Sequence, residues 1–147
     1  MNSIVRVAKL EDVEVVTGFL EKAKLNSHGI EEMVDSFLIM EDTSGVKATM
    51  GMEMFGVSGL LRSLVMTANT SENDLLQLFE EMFLLARKKE VKDLYLATNK
   101  LGAMKFVEVL GFEIVDNDQL PMAFSQSEHV KHILTVDNSV FLRRRLV

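Results

Sequence analysis

Arg62 and Ser63 are the polar exceptions in an apolar stretch at residues 60–66, and they are the first chemical signal in the chain. A guanidinium in an apolar strand must find a carboxylate or several carbonyl oxygens, because burying it alone costs several kcal/mol. Its partner is either a ligand's carboxylate or an internal one, Glu53 or Glu41. Glu53 lies on the polar side of the preceding strand pattern, where it suits a general base or a solvated or Arg-paired carboxylate. Ser63 offers a hydroxyl to a ligand or to nearby backbone. Metal chemistry has little support. His129 and His132 are three apart, but neither they nor His28 has an Asp, Glu or His partner at ligand spacing, and no His-Glu-x-x-His occurs. Surface or loop histidines, and no metal, are the expectation. No Gly-x-Ser-x-Gly elbow is present. Zero cysteines exclude a thiolate nucleophile, a disulfide framework and cysteine-ligated zinc.

The elements that must position these residues come from 147 residues that are 48% hydrophobic and 26% charged, an ordinary single-domain composition. A net charge of -6 argues against a nucleic-acid binder, and Arg143–Arg145 reads as an exposed strand edge. No apolar run is long enough to span a membrane, residues 1–10 lack a signal-peptide core, and the expected setting is the cytoplasm.

Residues 4–8 read as a strand, 11–23 as a helix and 30–34 as a short second helix. An apolar run at 37–40 leads to a turn over 41–45, and 47–55 alternates, with Ala48, Met50, Met52 and Met54 opposite Lys47, Thr49, Gly51 and Glu53. The methionines suit core filling or an adaptable apolar pocket. Residues 60–66 are apolar on both faces and so read as a central strand. The strongest helical stripe runs over 72–89 through Leu75, Leu78, Phe79, Met82, Phe83 and Ala86, entered by a Ser71/Asp74 capping box. Then follow a strand at 92–98, a helix at 103–110 closed by Gly111, and strands at 112–115, 130–136 and 140–147. The result is a mixed α/β fold with about six or seven strands and about four helices.

In that order, three segments carry a resemblance: Gly59-Leu60-Leu61-Arg62-Ser63-Leu64-Val65; residues 92–99 with Phe106-Val107-Glu108-Val109-Leu110-Gly111-Phe112; and a tail through Leu120-Pro121, Ser127-Glu128-His129 and Asp137–Leu142. Together they resemble the GNAT N-acetyltransferase superfamily, closest in pattern to its amino-acid-acetylating subgroup, which includes the arsenic-resistance N-acetyltransferases. The resemblance implies acetyl transfer from acetyl-CoA to a small amine, with much of the acceleration coming from proximity. It implies that backbone amides of Leu64, Val65 and Met66 polarise the thioester carbonyl where the fourth and fifth strands splay apart. It implies Glu53 as general base, Arg62 and Ser63 at the substrate, and Ser71, Asn73, Asn99 and Phe106 at the coenzyme.

The chain departs from the family at two places. The pyrophosphate loop of the family is glycine-rich, whereas here Thr70, Asn73 and Leu75 stand at its basic and glycine positions. Side chains crowd the approach of a diphosphate, and Glu72 and Asp74 each add a repulsion of about 2 kcal/mol at roughly 8 Å and an effective dielectric near 20. The same acids also favour the helix dipole. Val107 stands where many relatives carry a proton-donating tyrosine; Tyr95, the one tyrosine, reads as packing. Three readings follow: a working N-acetyltransferase, a fold descendant that binds a ligand or regulates without coenzyme, and an interaction protein that forms a homodimer.

Overall fold

The computed structural model describes residues 3–147. Met1 and Asn2, part of the reading of the first ten residues, lie outside the described residues. Seven strands, β1 (Ile4–Val7), β2 (Phe37–Asp42), β3 (Gly45–Phe55), β4 (Ser58–Met66), β5 (Asp93–Thr98), β6 (Glu113–Val115) and β7 (Val140–Arg145), lie in the order β1-β2-β3-β4-β5-β7-β6. The α-helices are α1 (Val13–Lys22), α2 (Glu72–Lys88), α3 (Leu101–Val109) and α4 (Glu128–Leu134), with short 3-10 helices between them. The chain divides into two compact units, Met1–Glu53 with Leu61–Lys89, and Met54–Leu60 with Glu90–Val147.

In the first unit β2 pairs antiparallel with β1 and β3. The core gathers Val16 and Leu20 of α1 with Ile30, Phe37 and Ile39, and Val65 of β4 packs against it. The apolar stripe of α2 buries Leu78, Phe79, Met82, Phe83 and Ala86, as its spacing predicts. Residues 11–23 split into a 3-10 turn (Leu10–Asp12) followed by α1, because the Asp12 carboxylate caps the Lys9 N–H at 2.7 Å and accepts both Nη atoms of Arg6. The expected second helix is a 3-10 helix, Ile30–Ser36, that starts at Gly29 with φ +84°. Strand β3 holds a surprise. Lys47, Thr49 and Gly51 are as buried as Ala48, Met50 and Met52, so from Lys47 to Met52 neither face is solvated. Gly51 is required there: a Cβ would lie 2.7 Å from the Phe37 ring.

In the second unit β7 runs antiparallel to both β5 and β6, and Ser58–Leu60 of β4 pairs in parallel with Asp93–Tyr95. Leu60, Tyr95, Val115, Phe124, Val130 and Phe141 form its core. Three expectations change here. Residues 130–136 are not a strand: 130–134 belong to α4, and 135–136 lie in the bend that follows it. The Ser127 hydroxyl accepts the Val130 N–H at 3.2 Å, Glu128 occupies the first turn, and Val130 and Ile133 turn toward the core at helical spacing. Phe112 belongs to the helix stop rather than to β6: its N–H bonds the Val107 carbonyl at 3.1 Å, around Gly111 with φ +97°. The arginine run is not an edge, since β7 lies between β5 and β6. Arg143 and Arg144 are half-buried, and Arg144 Nε donates to the Leu110 carbonyl at 2.8 Å.

Candidate functional site

Strands β3 and β4 of the first unit bring the two strongest candidates together. Arg62 Nη1 meets Glu53 Oε1 at 3.2 Å, with the arginine side chain 11% exposed and the glutamate 27%. Glu41 is not the partner, since it accepts Arg6 Nε at 2.7 Å on the β1–β2 pair. Glu53 leaves the guanidinium underserved. Arg62 Nε is buried with no hydrogen-bond acceptor among the described residues, and a guanidinium carries five donors. A second carboxylate beside Arg62 would meet that need, and its bidentate geometry suits the fork.

Ser63 follows with φ +59°, a left-handed backbone inside a strand. For an L-residue other than glycine this costs roughly 1–2 kcal/mol, so a local interaction must hold it. The hydroxyl of Thr49, a residue fully buried on β3, donates to the Ser63 carbonyl at 2.9 Å. Beyond this bend Leu64 and Met66 are 38% and 44% exposed, although residues 60–66 read as apolar on both faces and central. Val65 points back into the core. An exposed, centrally ordered strand segment behind a held kink is where a strand's amides can serve a ligand rather than a neighbour.

The start of α2 is built for its own stability. Asp74 N–H donates to Ser71 Oγ at 3.0 Å, Ser71 N–H donates to Asp74 Oδ2 at 3.0 Å, and Leu75 N–H bonds the Ser71 carbonyl at 3.1 Å. From β3, Lys47 Nζ reaches Asp74 Oδ2 at 2.8 Å and Ser3 Oγ at 3.1 Å, with its side chain 10% exposed. The Lys47 ammonium first, then the Ser71 N–H, hold the Asp74 carboxyl below the usual carboxylate range. Ser71 is thus engaged as a cap and Asn73 is exposed on the first turn. With no glycine, and with a fixed carboxylate on its own cap, this turn does not fit a diphosphate.

The remaining candidates sit in the second unit. Asn99 is exposed just past β5, and Phe106 is half-buried on α3. Val107 is buried in the α3 stop. Tyr95 packs edge-on against Phe124, ring centroids 5.1 Å apart. Among the described residues no group of three or more His, Asp or Glu side chains is placed to hold a metal, and no helix is long and apolar enough to cross a membrane. Lys47 and Thr49 are the residues that the sequence reading passed over. Their signal was their position, polar side chains on a strand just before one expected to be central.

No protein-family model matches the sequence. The uncharacterized protein YwlB of Bacillus subtilis (strain 168) is 29% identical over 141 residues, 95% of each chain. N-acetylglutamate synthase from Neisseria gonorrhoeae, complexed with coenzyme A and N-acetyl-glutamate, superposes with a TM-score of 0.81 at 16% identity. That match covers 100% of this chain and 36% of the synthase, so the chain spans about a third of that protein's length. Rv2747 from Mycobacterium tuberculosis, in complex with CoA and NLQ, gives 0.78 at 15% identity over 98% and 99% of the two chains. A GNAT-family acetyltransferase from Staphylococcus aureus Mu50 gives 0.76 at 15% over 99% and 100%. At these identities the likeness is one of fold, and the fold is that of the GNAT acetyltransferases.

Proposed function

With the GNAT fold as premise, we propose that the chain is an acetyl-CoA-dependent N-acetyltransferase whose acceptor is a small amine carrying a carboxylate, an amino-acid-like molecule. The observation that carries this reading is Arg62, a largely buried guanidinium whose Nη1 meets Glu53 Oε1 and whose Nε has no acceptor among the described residues. A substrate carboxylate supplies the missing acceptor, and its attached amine is then anchored next to a second carboxylate, Glu53. Acetyl-CoA supplies an activated acyl group. The chain's own part is to orient and to move a proton. Arg62 fixes the acceptor, Glu53 takes the proton from the attacking nitrogen directly or through water, and the amides of Leu64, Val65 and Met66 donate to the thioester oxygen. Ser63 stands beside Arg62 as a further hydrogen-bonding group. Val107 cannot donate a proton, so the leaving thiolate departs unprotonated or takes one from water. The neighbour solved with N-acetyl-glutamate bound supports an amino-acid acceptor.

A second reading has an observation of its own. The Ser71–Asp74–Lys47 arrangement satisfies the start of α2 internally, which favours a ligand-binding or regulatory module that no longer takes coenzyme. Calorimetric titration with acetyl-CoA separates the two: micromolar binding supports the transferase, and no heat at millimolar coenzyme overturns it in favour of the module. Arg62→Ala is expected to weaken acceptor capture at least tenfold while leaving the acetyl-CoA Kd within about twofold, since a charge-assisted pair contributes about 1.5–3 kcal/mol. Equal loss of both would reduce Arg62 to a structural role.

A further inference from the structure

The left-handed residue in β4 stands apart from the other backbone exceptions. Lys24, Glu90 and Asn138 also have positive φ, but each lies in a turn, where such a conformation is routine. Ser63 lies inside a strand, with φ +59°. A left-handed residue there breaks the two-residue side-chain period and rotates the following peptide planes. Beyond it Leu64 and Met66 are exposed, and Val65 packs on the core.

The contact that holds it is specific. Thr49 is fully buried between Ala48 and Met50, both also buried, and its hydroxyl donates to the Ser63 carbonyl at 2.9 Å. Packing alone does not call for a hydroxyl there, because valine has nearly the same shape with no polar atom to satisfy. The one thing threonine adds is this bond, and it ends on the carbonyl of the strained residue. Substitution at Ser63 by glycine would remove the need for it, since glycine adopts positive φ freely.

We propose that Thr49 is a positioning residue for acetyl transfer, its hydroxyl holding Ser63 left-handed so that the amides of residues 64–66 meet the thioester carbonyl. This rests on the acetyl-transfer reading above. Thr49 touches neither substrate nor coenzyme, and no proton passes through it.

The test uses the full chain as wild type, Thr49→Val, Thr49→Ser and the double variant Thr49→Val/Ser63→Gly. Crystal structures without ligand read φ at residue 63, and the ¹³C resonance of [1-¹³C]acetyl-CoA reads carbonyl polarisation on binding. In wild type the bound carbonyl resonance is expected to move downfield of free acetyl-CoA, and acetyl-CoA to bind more tightly than CoA. In Thr49→Val, Ser63 is expected to return to extended φ, the resonance to move back toward its free position, and the preference for acetyl-CoA over CoA to fall severalfold. Thr49→Ser restores the signal by restoring the hydroxyl, and the double variant restores it without one. A Thr49→Val protein that keeps Ser63 left-handed and the carbonyl shift unchanged overturns the role of Thr49 alone. A wild type that binds no acetyl-CoA overturns the acetyl-transfer reading and this role with it. Should Thr49→Val fail to fold, the double variant decides: a folded protein with an unpolarised carbonyl overturns the proposal, and a polarised one supports it.

Discussion

The ion pair between Lys47 and Asp74 can be separated into its parts by mutation. At 2.8 Å and an effective dielectric near 20, the bare attraction is about 6 kcal/mol. Desolvating a lysine that is 10% exposed offsets most of it, leaving a net coupling of about 2 kcal/mol. The two single variants are not equivalent. Asp74→Asn removes the opposite charge and leaves the buried Lys47 ammonium with neutral acceptors, the amide oxygen and Ser3 Oγ at 3.1 Å, a loss of about 2–3 kcal/mol. Lys47→Met leaves Asp74 bonded to the Ser71 N–H at a helix N-terminus, where a carboxylate is stabilised, and costs about 1–2 kcal/mol. In a double-mutant cycle by urea denaturation at pH 7, Lys47→Met/Asp74→Asn should fall short of the summed losses by about 2 kcal/mol. For a chain of this size each kcal/mol lowers Tm by about 2–4 °C. The pH dependence follows from the direction of the Asp74 shift. Because its folded carboxyl lies below the usual range, its stabilisation is present above about pH 4 and is lost as pH falls through the folded value. Additivity of the two single variants to within about 0.5 kcal/mol, or a greater loss from Lys47→Met than from Asp74→Asn, would refute the reasoning.

Asp12, held by both Nη atoms of Arg6 at 2.8 and 2.9 Å, has its carboxyl pushed down to about 2, chiefly by those hydrogen bonds. Moving an aspartate from its ordinary value to there corresponds to about 2 kcal/mol, and the one-third exposure of Arg6 screens this to on the order of 1 kcal/mol. That stabilisation is present above about pH 4 and disappears as pH falls toward 2, so the difference in urea midpoint between wild type and Asp12→Asn should close over that window; a difference constant from pH 5 to pH 2 counts against it. Gly51→Ala places a Cβ 2.7 Å from Phe37 Cδ2 and 2.9 Å from Met33 Cε. Overpacking against a fully buried ring is expected to cost about 2–3 kcal/mol in chemical denaturation, and a neutral result would show that the ring has room to shift.

Local patterns carried most of the fold into view. The α2 stripe and its Ser71/Asp74 box, the Gly111 stop and the central place of β4 all follow from short-range spacing, and each has the expected partner. Residues 130–136 misled because Val130, His132 and Leu134 alternate like a strand, while the deciding contact is the Ser127 hydroxyl outside that window. What covers a face is a tertiary fact, and here sequence spacing falls silent. The alternation of β3 marks Lys47, Thr49 and Glu53 as one polar side but does not say that protein, rather than water, lies over Lys47 and Thr49. The Arg62–Glu53 pair was among the stated partners of Arg62, whereas the left-handed backbone of Ser63 leaves no mark on residue type.

Once β3 is seen to be covered, its polar side takes on a common logic. A buried hydroxyl or ammonium, like a half-buried carboxylate, is retained where it is paired, and each of these three pairs with a different part of the first unit: Lys47 with the cap of α2, Thr49 with the bend of β4, Glu53 with Arg62. The three tasks pull differently on function. Thr49 and Glu53 act on β4: Thr49 donates to the Ser63 carbonyl, beyond which Leu64 and Met66 are exposed, and Glu53 accepts Arg62 Nη1 while Arg62 Nε has no acceptor among the described residues. Lys47 acts on α2 and fixes in place a carboxylate that, with Ser71, already caps the helix start where an anion would otherwise bind. If acetyl-CoA binds, its attachment must therefore rest on contacts along β4 more than on diphosphate at α2.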